Sequence, residues 1–164
     1  MTLYGSFHPT EEVYAAWDRT RAVALGMRAA FVVFQCPTSF TPTPGNVRNM
    51  RKFFQSIDRQ GLRFTWESRG EWPAELIAEL CSELDLLDCV DPFVRRPATA
   101  GACYFRLHGR GSYDYHYSDE ELDQVAAMAR EFDEAWVVFN NTAMWLDAAR
   151  FRERLESQTA REAS

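Results

Sequence analysis

Five apolar runs that alternate with helical patterns constrain the fold of this chain more than any other feature. The runs lie at 29–35, 63–68, 85–91, 103–109 and 135–141. Most of them are continuously apolar and rich in β-branched or aromatic residues. Strands that helices cover on both faces have this composition, which is typical of parallel sheets. The order of the patterns therefore predicts an α/β fold built from parallel β/α units.

The segments before and between the runs carry helix signals. Thr10 is a candidate N-cap of a first helix that closes at Gly26. A stripe of apolar residues predicts a second helix over 46–61, with Gly61 at its end. Pro73 suits the first position of a third helix, because a proline there loses no helical hydrogen bond.

The second half of the chain has similar punctuation. Ser118 and Glu121 have the spacing of a capping box, which predicts the start of a helix. Asn140 and Asn141 precede the last helical pattern, so one of them is expected to be its N-cap. The connection at 92–102 shows no helical pattern and is about as short as a parallel crossover can be.

Composition predicts a single domain over residues 1–164. The chain is 46% hydrophobic and 26% charged, and it has no linker or low-complexity segment. Residues 158–164 are expected to be a frayed tail. The net charge of -6 argues against non-specific binding to nucleic acid or to an anionic membrane. No apolar run approaches the roughly 20 residues that a membrane span needs.

The four cysteines are predicted to be buried, reduced thiols. They are Cys36, Cys81, Cys89 and Cys103, and none forms a C-x-x-C pair of the kind that a zinc site uses. The N-terminus lacks a basic region followed by an apolar stretch, so no signal peptide is indicated. The expected location is therefore cytoplasmic.

Polar residues stand at the carboxyl end of every predicted strand. They are Gln35, Glu67, Arg69, Asp91, Arg106, His108, Asn140 and Asn141. In parallel α/β folds, ligands bind at the carboxyl edge of the sheet. We therefore expect these side chains, or most of them, to cluster at one end of the sheet and to bind a ligand.

Arg106 and His108 are two residues apart, so on a strand they point to the same face. Arg106 suits an anion clamp, and His108 suits a proton donor or acceptor. The alternative is a buried ion pair of Arg106 with Glu67 or Asp91 and a histidine that packs in the core.

Glu67 and Asp91 are the two carboxylates at neighbouring strand ends. They are candidates for a general acid and a general base. Equally, they suit ion pairs with Arg69 or Arg106, and Glu67 is expected within reach of Arg69, Arg106 or His108. Ligation of a divalent metal by Glu67, Asp91 and His108 has no support from spacing, so no metal or cofactor is indicated.

Three tyrosines alternate along the loop that follows the fourth run. Tyr113, Tyr115 and Tyr117 are suited to a lid that stacks on a flat substrate. They are equally suited to packing the loop against the end of the sheet.

Several motifs together resemble a known family. They are "FVVFQCPTSF", "FTWESRGEWP", "VDPF", "YFRLHGRGSYDYHYSDEEL" and "WVVFNNTAMWLDAARF". From about Phe7 to about Leu155 the chain resembles the C-terminal portion of the DUF72 (YecE-like) family. The resemblance implies a TIM-type (β/α)8 barrel of roughly 250 residues and no assigned biochemical function. The polar positions of the family fall on the residues given above and add Pro37, Gly109 and Tyr117.

The resemblance omits the N-terminal portion of the family, with its early barrel strands. Five strands are predicted here, where a barrel has eight, so we expect a partial TIM-type barrel with open edges. This implies either a truncated chain or one completed by a second copy or by a separate N-terminal half.

The functional prediction is acid/base chemistry, of hydrolase or isomerase type, on a small polar or anionic substrate. Arg69 and Arg106 would hold the anion, and Glu67, Asp91 or His108 would move protons. The remaining expected binding residues are Gln35, Tyr117, Asn140 and Asn141. The alternative is a non-catalytic chain that binds itself or a partner. Binding of single-stranded nucleic acid through arginines and tyrosines is disfavoured by the net charge.

Overall fold

The structure, a computed structural model, describes residues 5–162, and the side chains of 5–158. The chain divides into two compact units, Met1–Cys89 and Val90–Ser164, and each is described by itself. The single-domain prediction stays a prediction.

Ten helices and strands alternate along the described residues after a short 3-10 turn at Gly5–Phe7. They are α1 Glu11–Gly26, β1 Phe31–Gln35, α2 Pro44–Ser56, β2 Arg63–Glu67, α3 Ala74–Glu83, β3 Leu86–Val90, β4 Ala102–Leu107, α4 Asp119–Ala129, β5 Glu134–Phe139 and α5 Met144–Glu162. Every predicted strand is present, with its ends within two residues of the prediction. The connection between β3 and β4 has no helix, as predicted.

The first unit packs helices on its sheet through aromatic side chains. β1 and β2 are parallel, with Phe31 opposite Arg63 and Gln35 opposite Glu67, and β2 and β3 are parallel as well. The cluster consists of Phe7, Trp17, Phe34, Phe53, Phe54 and Phe64, all at most 4% exposed. Edge-to-face contacts between these rings add to the free energy gained by burying them.

The second unit is built on the parallel pair β4 and β5. On β4, Cys103, Phe105 and Leu107 are fully buried in a core with residues of α4, β5 and α5. Because successive side chains of a strand point to opposite faces, Arg106 lies on the other face of β4. His108 follows Leu107, the last residue of the strand, so the same-face prediction for Arg106 and His108 stays a prediction.

The fold class is the predicted one. Within each unit the paired strands are parallel, and their order follows the chain. Helices separate β1, β2 and β3 from one another and β4 from β5. This is an α/β fold of parallel β/α units, as found in part of a TIM-type barrel. No helix among residues 5–162 is both long and apolar enough to cross a membrane.

Two helix-capping predictions are confirmed in atomic detail. The Thr10 hydroxyl accepts a hydrogen bond from the N–H of Val13 at the start of α1, which ends at Gly26. Ser118 and Glu121 form the predicted capping box at the start of α4. Side-chain oxygens at these positions satisfy N–H groups that have no partner within the helix.

Two predicted helix limits are wrong. α2 ends at Ser56 and not at Gly61, because Ile57 already has an extended backbone (φ -88°, ψ 141°). α5 begins at Met144, three residues after Asn141, so neither asparagine is its N-cap. α5 continues to Glu162, and residues 163 and 164 of the predicted frayed tail lie outside the described residues.

Candidate functional site

In the first unit, three predicted site residues lie at the carboxyl ends of β1 and β2. Gln35 and Glu67 are register partners, each the last residue of its strand. Glu67 is 5% exposed, and its Oε1 accepts a hydrogen bond from Arg69 Nε at 2.7 Å. The predicted contact of Glu67 with Arg69 is thus confirmed. This ion pair offsets part of the cost of burying the carboxylate.

Gly70 lets the loop after β2 lie close to the loop after β1. A Cβ atom at Gly70 would stand 2.5 Å from the carbonyl oxygen of Phe40 and 3.0 Å from that of Thr38. The Trp72 indole N–H donates a hydrogen bond to the same Phe40 oxygen at 2.8 Å. These contacts hold the segment directly after Arg69 against the loop that follows β1.

Cys36 follows Gln35 directly, and its structure matches the predicted packing role. It is fully buried, and the Trp66 indole N–H donates to its Sγ at 3.3 Å. Burial raises the pKa of the Cys36 thiol to about 12. At neutral pH the thiol is therefore uncharged, and it is not an activated nucleophile. All four cysteines are free and buried, as predicted.

A cavity of about 300 Å³ opens at the opposite, amino-terminal end of β2 and β3. Arg59 lines it, but its guanidinium already donates to the carbonyl oxygens of Leu84 and Asp85 and lies over the Phe64 ring. These bonds satisfy the last carbonyls of α3, so this arginine closes the helix rather than binding a ligand.

In the second unit, Asp91 and His108 form the central pair. Asp91 Oδ1 accepts from the Phe93 N–H at 3.0 Å, and Oδ2 accepts from the His108 N–H at 3.1 Å. Asp91 Oδ2 also lies 3.8 Å from His108 Nδ1. The imidazole is partly exposed, with 19% of its side-chain surface accessible. A carboxylate beside Nδ1 favours a proton on that nitrogen, which leaves Nε2 able to accept one.

Tyr117 packs beneath the end of β4 and has no lid-like exposure. It is 1% exposed, and its ring lies against Phe93, Tyr115 and Phe139. Its hydroxyl oxygen accepts from the Gly109 N–H at 2.7 Å. Burial is the main reason that the pKa of the Tyr117 phenol is raised, so it stays protonated.

The other two tyrosines differ from each other. Tyr115 donates its hydroxyl proton to the Glu121 carboxylate, at 2.8 Å from Oε1, which raises the pKa of the phenol. Tyr113 is 52% exposed, and its ring meets the His108 ring edge-to-face at 5.9 Å between centroids. Of the three tyrosines, only Tyr113 combines exposure with a contact to His108.

Asn140 and Asn141 occupy different environments. The Asn140 N–H donates to the Leu107 carbonyl oxygen at 2.7 Å, which places Asn140 directly beyond the paired ends of β4 and β5. Asn141 is 1% exposed, and its carboxamide N–H groups donate to Tyr115 O at 2.6 Å and to Asp147 Oδ2 at 2.7 Å. Both donors of Asn141 are therefore used within the protein.

Asp147 is a buried residue that the candidate list from sequence missed. It has no exposed surface, and besides Asn141 it accepts from the Tyr117 N–H at 3.3 Å and from Arg150 at 3.1 Å. Its only signal in the sequence is its place in the DA-x-x-F helix motif. An acidic residue in the first turn of α5 favours the helix without any distant partner, so only the fold reveals the contacts of Asp147 with Asn141 and Tyr117.

Within each unit, the predicted site residues lie at or just beyond the carboxyl ends of strands, except Tyr117, which lies at the end of the loop before α4. Those of the first unit are Gln35, Glu67 and Arg69, and those of the second are Asp91, Arg106, His108, Tyr117, Asn140 and Asn141. Within the described part of the chain, no three His, Cys, Asp or Glu side chains are grouped to hold a metal ion.

Parallel β/α units with polar residues at the carboxyl ends of their strands are found in proteins of the TIM-barrel class, and this chain is consistent with part of such a barrel. The chain belongs to the DUF72 family, whose model, described as "Protein of unknown function DUF72", matches residues 1–164. The resemblance seen in the motifs is therefore confirmed. No curated protein matches the chain.

Two crystal structures of a DUF72 family protein from Enterococcus faecalis V583 share this fold. The structure at 3.10 Å resolution is 19% identical, with a TM-score of 0.71, and the match covers 95% of this chain and 73% of that chain. The structure at 2.52 Å resolution is 21% identical, with a TM-score of 0.70, and the match covers 95% of this chain and 77% of that chain.

Proposed function

We propose that this chain performs acid/base chemistry on a small polar or anionic substrate, with His108 as the group that transfers the proton. The observation that carries the proposal is the Asp91–His108 pair at the end of β4. Histidine is the side chain that most often serves as a general acid or base, and a carboxylate beside the ring can orient it for that role. Hydrolysis and isomerisation both need such a step.

Asp91 orients His108 by two routes. It accepts from the backbone N–H of His108, and it lies within electrostatic reach of the ring. Its hydrogen bond to the Phe93 N–H fixes the carboxylate itself. An imidazolium formed during the reaction would be stabilised by this negative charge.

Arg106 is the proposed anion-binding residue of the second unit. It is the second-last residue of β4, two residues before His108, and its guanidinium suits a carboxylate or a phosphate. Asn140 follows the paired strand and is proposed to orient the substrate. In the first unit, Gln35 and the Glu67–Arg69 pair are proposed binding or proton-transfer groups. We propose a cytoplasmic location for the protein.

The test begins with ligand discovery, because the substrate is unidentified. Wild-type protein is screened by thermal shift against small carboxylates and sugar phosphates. Each ligand that raises the melting temperature is then followed by proton NMR in D2O, which detects both turnover and exchange of carbon-bound hydrogen.

The decisive comparison is between two histidine variants. His108→Gln should lower turnover or exchange by about 10²- to 10⁴-fold, the usual contribution of a general acid or base. His116→Gln is the matched control, since His116 is exposed and lies on the same loop. Equal activity of His108→Gln and wild type would contradict the proposal.

The second candidate function is non-catalytic binding of a second copy or of a separate protein. The observation that favours it is the exposed apolar first turn of α5, where Met144, Trp145 and Leu146 are 40%, 87% and 55% exposed. Exposed apolar groups of this size often mark interaction surfaces. Light scattering at several concentrations tests self-association, and a constant monomer mass would remove that form of the proposal.

A further inference from the structure

Three alternate carbonyl groups hold the loop that joins β4 to α4, here called the tyrosine loop and defined as residues 109–117. Tyr113 O accepts from the N–H of Thr142 at 2.8 Å and from its hydroxyl at 2.9 Å. Tyr115 O accepts from Asn141 at 2.6 Å, and Tyr117 O accepts from Arg150 at 2.7 Å. Every donor comes from the segment that follows β5.

Asp147 is the group on which these anchors converge. Its side chain is fully buried, and its carboxylate accepts hydrogen bonds from Asn141 and from the Tyr117 N–H. Arg150 balances its charge at 3.1 Å and also reaches the Tyr117 carbonyl. An arrangement that broke one of these hydrogen bonds would leave a buried polar group without a partner, which costs free energy. The network therefore favours the single arrangement seen here.

The orientation of Asn141 follows from this network. Both of its donors are used, by Tyr115 O and by Asp147, whereas its carboxamide oxygen has no hydrogen-bond partner in the described structure. The orientation of Asn141 therefore satisfies both donors of its carboxamide and leaves the buried carboxamide oxygen without a hydrogen bond, which costs free energy. Such a cost is expected where the geometry of a loop matters.

The end of the tyrosine loop that faces solvent carries the contact with the proposed proton-transfer group. Its first residue, Gly109, donates to the Tyr117 hydroxyl at 2.7 Å, which closes the loop on itself. Tyr113, held by Thr142 at its carbonyl, places its ring 5.9 Å from the His108 ring. The position of this ring therefore depends on anchors that do not touch His108.

We propose that Asp147 and Asn141 are positioning residues for His108. They fix the tyrosine loop and, through it, the Tyr113 ring that borders the imidazole. The proposal rests on the proposed function, because the role of His108 in proton transfer is itself proposed. The position of the Tyr113 ring beside His108 can be measured without any substrate. Asp147 and Asn141 act through Tyr115 and Tyr117 rather than on a substrate.

The test uses proton and carbon NMR of the histidine side chains, with the His108 signals assigned by their loss in His108→Gln. In Asp147→Asn, the His108 ring signals should shift, because the ring current of Tyr113 acts on them only over a short distance. Amide exchange at Tyr117, whose N–H donates to Asp147, should become about fivefold faster or more, as the loss of one hydrogen bond implies. Amides in the middle of β4 should keep their protection.

Asp123→Asn is the matched control. Asp123 of α4 pairs with Arg154 of α5 and is partly exposed. Among the described contacts it has none with the tyrosine loop. It removes a carboxylate of similar kind, but it should leave the His108 signals unchanged. Equal shifts in both variants would show a general loosening of the fold and would overturn the proposal.

Thr142→Val covers the case in which Asp147→Asn does not fold. Thr142 is exposed, and the change removes only the hydroxyl bond to Tyr113 O while the backbone bond remains. A smaller shift of the same His108 signals is expected. Wild-type His108 signals in a folded Asp147→Asn variant would overturn the proposal, as would wild-type signals in Thr142→Val if Asp147→Asn does not fold.

The two proposals fail separately. A His108→Gln variant with wild-type turnover would remove the proposed function and leave the NMR result intact. Unchanged His108 signals in Asp147→Asn would remove the positioning role and leave the acid/base proposal standing.

Discussion

The Asp91 carboxylate accepts the backbone N–H of His108 at 3.1 Å and lies 3.8 Å from Nδ1 of the same residue. One side chain at the end of β3 thus contacts both the backbone and the ring of a residue at the end of β4. The pair therefore has a structural part and a chemical part, which different substitutions separate.

Substitution of Asp91 by alanine tests the structural part. Asp91→Ala leaves the N–H groups of Phe93 and His108 without their carboxylate partner. We expect a loss of about 1–3 kcal/mol in the free energy of unfolding, the usual cost of a buried group left unpaired. Urea unfolding measures it. Asp114→Asn, at an exposed position of the tyrosine loop, is the control. A cost for Asp91→Ala no larger than that of the control would show that these bonds contribute nothing.

Gly109 is predicted to be intolerant of any side chain. It has φ of +86°, and a Cβ atom would stand 2.1 Å from Ser112 O and 2.8 Å from Tyr115 Cβ. Gly111 has a similar φ of +81° but open space around its Cα. Gly111→Ala should therefore cost only the backbone strain, about 1–2 kcal/mol, and Gly109→Ala clearly more.

Urea unfolding of the two glycine variants side by side separates strain from steric overlap. The difference between their costs reports how closely Ser112 and Tyr115 approach Gly109 at the start of the tyrosine loop. Equal costs for the two variants would mean that the loop moves aside easily, contrary to the network of hydrogen bonds that holds it.

The sequence predicted those parts of the fold that depend on local signals. Strand positions follow from continuous apolar runs, and the starts of α1 and α4 follow from Thr10 and Ser118, whose hydroxyls cap the helix that they precede. The candidate site residues were chosen because ligands bind at the carboxyl edge of parallel sheets, so polar residues at strand ends could be selected from the sequence alone.

Contacts between distant residues decided what the sequence did not predict. The apolar stripe of α2 includes Ile57, but the helix ends before it, and Arg59 beyond it is bound to carbonyl oxygens 25 residues later or more. Asn141 was expected to cap α5, yet Asp147 and a carbonyl 26 residues earlier occupy its donors. No pattern within a short window contains that information.

Stability at alkaline pH is predicted to depend on two buried thiols. Burial raises the pKa of Cys36 and of Cys103 to about 12. In the unfolded chain a thiol ionises at about 8.5. The folded state therefore binds more protons than the unfolded state above that pH. The stabilisation is complete below about 8.5 and is lost as pH rises, with a slope of up to about 1.4 kcal/mol per pH unit for each thiol.

Urea unfolding under reducing conditions from pH 7 to 10 measures this slope. Cys36→Ala and Cys103→Ala should each make the dependence on pH shallower, although both lower stability at pH 7 by removing a buried side chain. An unchanged slope in both variants would show that neither thiol is responsible.

Trp145 is predicted to dominate the collisional quenching of tryptophan fluorescence. It is 87% exposed, Trp136 is partly exposed, and Trp17, Trp66 and Trp72 are at most 9% exposed. Acrylamide quenching should fall strongly in Trp145→Phe and remain near the wild-type value in Trp72→Phe. Dilute protein is the right starting point, because a second copy on the first turn of α5 would shield this ring.

Measurements at several protein concentrations then test whether the first turn of α5 binds a second copy. If the apolar turn of α5 binds a second copy, quenching of the wild type should decrease as the mass from light scattering increases, and Trp145→Ser should abolish both changes. If the turn faces solvent in the working protein, quenching and mass stay constant with concentration. Strong quenching that persists in Trp145→Phe would contradict the assigned exposure of Trp145.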